Sequence, residues 1–452
     1  MPRNLNVIYI HSHDTGRVIS PYGFPVDTPN LMKIAHEGVL FRQAFCAGPT
    51  CSPSRAALLT GQMPHTAGML GLAHRGFSLN DYSRHLVHTF RANGYETALA
   101  GVQHVAAEVD PSGRPAWETI GYDRYLGEPS DAHRLASSYI RSKKNTKRPF
   151  FLSVGFAETH REFPELESPS ESQYVLAPAP LPDLPQVRAD FARYRRSVAA
   201  LDEKIGVVLK AIDEAGIAGR TLLIATTDHG IAFPRMKCSL TDAGIGVYLI
   251  LRGPGELAGG RVVDSLVSHI DLFPTLCDYL GIAAPAWLQG RSLMPILRDE
   301  ADEVNEQIYA QVNFHAAYEP ARCVRTNRFK YIARYDGRSA PVLPNTDDGE
   351  SKTALLERGW FPVEPEALFD LTFDPNETRN LADLHEYSSE LEAMRSSLHE
   401  WMRRTSDPIF GALQGDNPGT PGLAARVSGI LTPPPGALLN DPDGLSPSEA
   451  VS

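Results

Sequence analysis

The sequence predicts an α/β protein: a mostly parallel central sheet with helices on both faces, plus a smaller C-terminal α+β domain. Three observations carry this. Short apolar runs of strand length alternate with longer segments of helical periodicity over the first 300 residues. After about residue 300 that alternation gives way to a hairpin pattern and one helix. Several of the apolar runs end in clustered polar residues, and in open α/β sheets the carboxyl ends of strands form the ligand crevice.

The elements follow in order. Residues 5–10 (LNVIYI) read as a buried strand. Thr28-Pro29 opens a helix to about Gly38, with Thr at the N-cap and Pro at the first helical position. Residues 81–93 read as a helix ending near Gly94, and 95–100 (YETALA) as a strand. A helix over 131–145 precedes the strand 150–156 (FFLSVGF), and a long amphipathic helix spans about 187–215. Residues 221–227 (TLLIATT) and 247–251 (VYLIL) are strands, and 271–280 is a helix. Residues 323–335 read as a hairpin turning at Thr326-Asn327-Arg328, and 386–404 as a helix. The expected organisation is a large α/β domain over 1–300, a smaller α+β domain over 301–410 and a Pro/Gly-rich tail over 411–452. No internal repeat is visible.

Composition narrows the function classes. The 452 residues include 43 basic and 54 acidic side chains, a net charge of -11, with 42% apolar and 21% charged residues. That is a globular chain with a large core, and it excludes a disordered protein or a coiled coil. The acidic balance argues against nucleic-acid binding. No apolar run approaches the roughly 18 residues that cross a bilayer, so no membrane partner is expected. The start lacks a secretory h-region, so the expected location is cytoplasmic. Five scattered cysteines, with no Cys-x-x-Cys pair, do not make a disulfide framework. The basic run 143–148 reads as a solvated loop, and the tail as disordered or as an arm reaching a second subunit of a homo-oligomer.

The polar strand ends are the functional signal. The first strand runs into His11-Ser12-His13-Asp14, the strand at 95–100 is followed by His104, that at 150–156 by Glu158 and His160, and that at 221–227 by Asp228-His229-Gly230. A lone histidine after a strand, or Asp-His-Gly alone, is ordinary loop or turn chemistry. Four such ends converge on one edge if the strands are parallel neighbours. A further segment reads Cys51-Ser52-Pro53-Ser54-Arg55-Ala56-Ala57-Leu58-Leu59-Thr60-Gly61. Pro53 suits the first helical position, Gly61 the stop, and Cys51 sits just before the helix N-terminus with Arg55 four residues on. By its residues alone Cys51 is either an activated thiolate or a structural cysteine.

Cys-x-Pro-Ser-Arg followed by Leu-Leu-Thr-Gly resembles the signature of the type I sulfatases of the alkaline phosphatase superfamily. Thr28-Pro29-Asn30-Leu31 and Gln62-Met63-Pro64-His65 resemble the same family, whose motif order spans roughly residues 5–300, and the N-terminal half resembles its sulfamidase-like branch. The resemblance implies an alkaline phosphatase-like fold and a sulfatase acting on a small anionic sulfated substrate, as a sulfate ester or an N-sulfate. It implies that a formylglycine-generating enzyme converts Cys51 to formylglycine, which serves as nucleophile and metal ligand. It implies one divalent metal, Ca²⁺, held by Asp14, Cys51, Asp228 and His229, and His13, next to Asp14, is expected as a further ligand. Arg55 is implied to hold the modified residue, His104 to act on the sulfated intermediate, His160 to protonate the leaving group, and Lys237 to bind the sulfate.

Two positions depart from the family pattern. His13 stands where an aspartate is usual, and imidazoles from His13 and His229 shift the preference from Ca²⁺ toward Mn²⁺ or Zn²⁺. Gly101-Val102-Gln103-His104 lacks a sulfate-binding lysine, for which Arg75 or Arg235 is expected to compensate. Loops at 65–80, 105–130, 160–185 and 340–365 are the expected pocket walls. The rival readings are a phosphonate monoester or phosphodiester hydrolase of the same superfamily, a non-catalytic binding protein on the same fold, and a cysteine hydrolase using a Cys51 thiolate.

Overall fold

The computed structural model describes residues 4–359 and 362–446. Eight strands form the large sheet: β1 (Asn6–Ser12), β2 (Val39–Phe45), β3 (Glu96–Gly101), β4 (Arg124–Gly127), β5 (Phe150–Gly155), β6 (Thr221–Thr227), β7 (Leu249–Arg252) and β8 (Arg261–Ser268). Their order is β4-β3-β5-β1-β6-β7-β2-β8. All pairs are parallel except those of β7, which runs against both β6 and β2. The expected mostly parallel sheet is therefore present.

Alternation along the central strands puts one apolar set on each face. Val7 and Tyr9 of β1, with Leu222 and Ile224 of β6, pack into one core. Ile8 and Ile10, with Leu223 and Ala225, pack into the other, beneath helices Pro29–Glu37, Ala132–Ser142 and the 31-residue Pro185–Ala215. That burial on both faces is why β1 and β6 read as continuous apolar runs. The helix at Pro29 starts where the sequence places it, but Thr28 does not cap it with its side chain. Asp202 of the long helix does so instead, accepting from the N–H groups of Asn30 and Leu31 at 2.9 and 2.8 Å. The segment expected as one helix over 81–93 is a short 3-10 turn, Tyr82–Arg84, followed by the helix Leu86–Ala92.

A second, antiparallel sheet of β9 (Gln307–Phe314), β10 (Tyr318–Thr326), β11 (Phe329–Arg334) and β12 (Glu366–Asp370) follows, in the order β12-β11-β10-β9. The expected hairpin is its β10–β11 pair. Helix Ser388–Arg404 covers it, and Ala310, Cys323, Tyr331 and Trp401 join the same buried core as Tyr9 and Phe151 of the large sheet. The Pro/Gly-rich segment packs on its own chain: helix Leu423–Ile430 buries Leu423 and Val427 in that core. All five cysteines are free and buried. Among the described residues no helix is long and apolar enough to cross a membrane.

Candidate active site

The neighbours β3, β5, β1 and β6 are all parallel, so their carboxyl ends open on one edge. His104, His160, His13-Asp14 and Asp228-His229 lie just beyond those ends. The strand ends approach closely. A Cβ on Gly101 would lie 2.2 Å from the Gly155 carbonyl oxygen, so only glycine fits where β3 leaves the sheet. Asp14 and His104 adopt the left-handed region, with φ of 52° and 55°, a conformation that non-glycine residues rarely take and that clusters at functional sites.

The helix Cys51–Thr60 brings the cysteine to this edge. It begins at Cys51 itself, two residues before Pro53, and all ten of its residues are buried. Its Gly61 cap takes φ 65° and donates to the Ala57 carbonyl. Ser54 Oγ donates to the Asp228 carbonyl, which ties the helix to the end of β6.

Cys51 Sγ stands 3.5 Å from His229 Nε2 and 4.0 Å from His13 Nδ1. His13 Nδ1 lies 2.9 Å from Asp14 Oδ1 and 3.3 Å from Asp228 Oδ2, and His229 Nε2 lies 3.3 Å from Asp14 Oδ1 and 3.8 Å from Asp228 Oδ2. One donor atom from each of His13, Asp14, Cys51 and Asp228 falls within 4.8 Å of the others, and all four residues are buried. This compact set of carboxylate, imidazole and sulfur donors fits a divalent cation.

The remaining predicted residues surround that set. Arg55 donates to Asp228 Oδ2 at 2.9 Å and to the Ser12 carbonyl at 3.0 Å, while its buried Nε–H has no partner. Lys237 donates to Asp14 Oδ2 at 2.9 Å and to Asp347 Oδ1 at 3.1 Å, and lies 3.5 Å from His160 Nε2. His160 is 41% exposed at the mouth of the site, its ring edge-on to His13. His104 Nδ1 lies 3.0 Å from His13 Nε2.

Burial and charge set the protonation states. Burial pushes the Asp14 carboxyl up, but Lys237 above all, with the neighbouring histidines, holds it well below the usual range. Asp228 is likewise depressed, by His229 and Arg55 against its burial. Burial pulls Lys237 down, yet Asp14 and Asp347 raise it well above its ordinary value. Burial lowers His13 to about 4 and His104 well below its usual range. Burial also drives the Cys51 thiol well above its ordinary range, with Asp14 and Asp228 adding to the effect. A thiol so placed is a poor thiolate nucleophile, which disfavours the cysteine-hydrolase reading.

Some expectations need correction. Arg75 donates to the Leu438 carbonyl and Asn440 Oδ1 at 3.0 and 2.9 Å, and Arg235 to the Glu377 carbonyl at 3.1 Å, so both already serve acceptors of their own chain. Glu158 pairs with Lys204 on the long helix instead of joining the cluster. Other contacts went unread, including that of His11, which the sequence names only as part of its strand end. His11 accepts Arg55 Nη1 at 2.5 Å, Asp347 fixes Lys237, the His74 ring is 6.2 Å from that of His104, and buried His315 is depressed by burial and by Lys237. His74 and Asp347 lie within two of the loops expected as pocket walls. For His315, which follows β9 on the second sheet, no sequence signal pointed to the site.

The sulfatase family profile matches residues 5–282, and that for the C-terminal part of N-sulphoglucosamine sulphohydrolase matches 235–347. The chain belongs to the sulfatase family, hydrolases of sulfuric esters. It is 29% identical to human N-sulphoglucosamine sulphohydrolase over 91% of this chain and 93% of that protein. It is 30% identical to an ulvan-active sulfatase of Formosa agariphila over 84% of this chain and 76% of that one. Among solved structures it shares its fold with a 2-O GAG sulfatase, with TM-score 0.69 and 22% identity over 99% of this chain and all of that one. A phosphonate monoester hydrolase of Agrobacterium radiobacter has TM-score 0.67 and 22% identity over 89% of this chain and 96% of that one, a likeness of fold alone.

Proposed function

We propose that this sulfatase is formylglycine-dependent and removes sulfate, as an O-sulfate or an N-sulfate, from a sugar, with one divalent cation held by His13, Asp14, residue 51, Asp228 and His229. The observation that carries the reading is the placement of Cys51, at the first turn of a buried helix, among the donors His13, Asp14 and Asp228. The cation supplies Lewis-acid polarisation of the sulfate, and formylglycine at position 51 supplies the hydrated-aldehyde nucleophile. The nitrogen donors favour Mn²⁺ or Zn²⁺, while the family resemblance favours Ca²⁺.

The chain's own groups do the rest. The unpartnered Arg55 Nε–H is available to an oxygen at residue 51. Lys237 presents a fixed ammonium to the substrate side, held by two carboxylates. His160, at the mouth and next to Lys237, is placed to deliver a proton to the departing oxygen or nitrogen. The charge balance supports a monoanionic substrate. Asp14, Asp228 and Asp347 outnumber Lys237 and Arg55 by one negative charge, so a divalent cation leaves one positive charge for one sulfate monoester.

The match to the N-sulphoglucosamine sulphohydrolase C-terminal profile, which contains His315 and reaches Asp347, supports an N-sulfated sugar, and the similarity to ulvan-active sulfatases supports O-sulfated ones. The test is co-expression with a formylglycine-generating enzyme, peptide mass spectrometry across residue 51, and sulfate release from N-sulfated glucosamine, O-sulfated sugars and, as a control, hydrolysis of a phosphonate monoester. Conversion at residue 51 with sulfate release is expected. Full conversion with no sulfate released from any of them overturns the reading.

A further inference from the structure

We propose that His13 is a positioning residue that transmits the state of the cation site to His104: when a divalent cation binds, both imidazoles exchange tautomer together. This rests on the cation part of the reading above and on nothing about the substrate.

His13 uses both ring nitrogens, one toward the carboxylates and one toward His104. Its Nδ1 faces the carboxylates, 2.9 Å from Asp14 Oδ1 and 3.3 Å from Asp228 Oδ2. Its Nε2 faces His104 Nδ1 at 3.0 Å, with the two rings edge-on and their centroids 4.8 Å apart. The contact between the two rings needs a bare nitrogen on one side, burial disfavours the charged form of both, and each neutral ring carries one proton.

The two states follow from proton counting. An ionised carboxylate only accepts. With the carboxylates facing it alone, His13 must carry its proton on Nδ1. Its Nε2 is then bare and accepts, so His104 carries its proton on Nδ1 and leaves Nε2 with a lone pair. A cation among the carboxylates instead requires the His13 Nδ1 lone pair. The His13 proton then sits on Nε2 and is donated to a bare His104 Nδ1, and the His104 proton moves to Nε2. The pair holds two protons in both states, and none is released to solvent. Setting a second imidazole's tautomer from a ligating one is how outer hydrogen bonds tune metal sites. The consequence is specific: with the cation bound, His104 offers an N–H from Nε2 and orients an oxygen, whereas without it His104 offers a lone pair.

The experiment uses the full chain with ¹⁵N-labelled histidine, the signals of His13 and His104 being assigned with His13→Gln and His104→Gln. Side-chain nitrogen spectra are recorded with and without Zn²⁺, and again with Ca²⁺, with binding followed by calorimetry. The expected result is that, at saturation, His104 Nδ1 changes from a protonated to a bare nitrogen while Nε2 changes the opposite way, and that His13→Gln abolishes the response of His104. Cation binding that leaves both tautomers unchanged overturns the proposal, and so does a chain that binds no cation. The wild-type spectra decide the matter even if His13→Gln does not fold. No readout needs turnover or a modified Cys51. A chain that switches tautomer but releases no sulfate fails only the functional reading, and an active chain whose histidines do not respond fails only this one.

Discussion

Two buried Arg–Asp pairs, one in each sheet region, show how a structural ion pair differs from one at the candidate active site. In the second region Arg322 grips Asp407 through two bonds, Nε to Oδ2 at 2.6 Å and Nη2 to Oδ1 at 3.0 Å, and its Nη1 donates to the Val312 and Ala321 carbonyls. Both side chains are fully buried, and the guanidinium is satisfied. At the end of the large sheet Arg55 makes a single bond to Asp228, leaves its Nε–H unpartnered, and shares that carboxylate with His13 and His229. The first pair closes its own account of donors and acceptors. The second leaves the Arg55 Nε–H uncommitted, which is what a site needs if a ligand is to complete it.

Substitutions can break this contrast. Cys51→Ala should lower sulfate release by about 10⁴-fold or more while leaving the thermal midpoint nearly unchanged, as read by ion chromatography and calorimetry on the same preparation. Arg322→Met should do the reverse. Leaving Asp407 charged and buried without its partner should cost about 3–5 kcal/mol of stability, and Arg322→Met with Asp407→Leu should recover most of it, with turnover per folded molecule intact. Denaturant midpoints measure both. Lys237→Met should lower kcat/KM by about 10²–10³-fold, with Lys237→Arg recovering part of the loss in steady-state kinetics.

The smallest effect sharpens the comparison through pH. Burial pushes the Asp407 carboxyl up, but Arg322 wins and holds it below its ordinary value. A depressed carboxyl contributes stability that is complete above the unfolded value of about 3.9 and is lost as pH falls through the folded value. Wild type should therefore lose more stability than the Arg322→Met/Asp407→Leu double variant between pH 5 and pH 3. Equal acid slopes in thermal scans of the two would refute the assignment.

What the sequence made legible was what obeys local rules. β1 and β6 are buried on both faces, so they read as unbroken apolar runs. The Cys51 helix carries its own proline and glycine signals. Edge and interrupted strands were not legible. β2 has exposed Arg42 at its middle, and β8 mixes exposed and buried positions toward its start, so neither gives a clean period. The site was legible where residues follow strand ends. It was not legible where contacts span more than a hundred residues, as Lys237 with Asp347 or Arg75 with Asn440. There nothing local marks the partner, and the same long reach explains why Arg75 was assigned to the substrate.

The burial of Cys51 has a consequence for timing during synthesis. Only 4% of that residue is accessible in the finished fold, so the modification proposed above calls for an oxidising enzyme that reaches it while the surrounding chain is still open. A distant segment supplies Leu438 and Asn440, 363 and 365 residues further along, as acceptors for Arg75, beside His74 in the loop that faces His104. The polypeptide thus fastens this side of the candidate site with a stretch made hundreds of residues after Cys51, and the interval before that fastening is the one the proposed maturation would use.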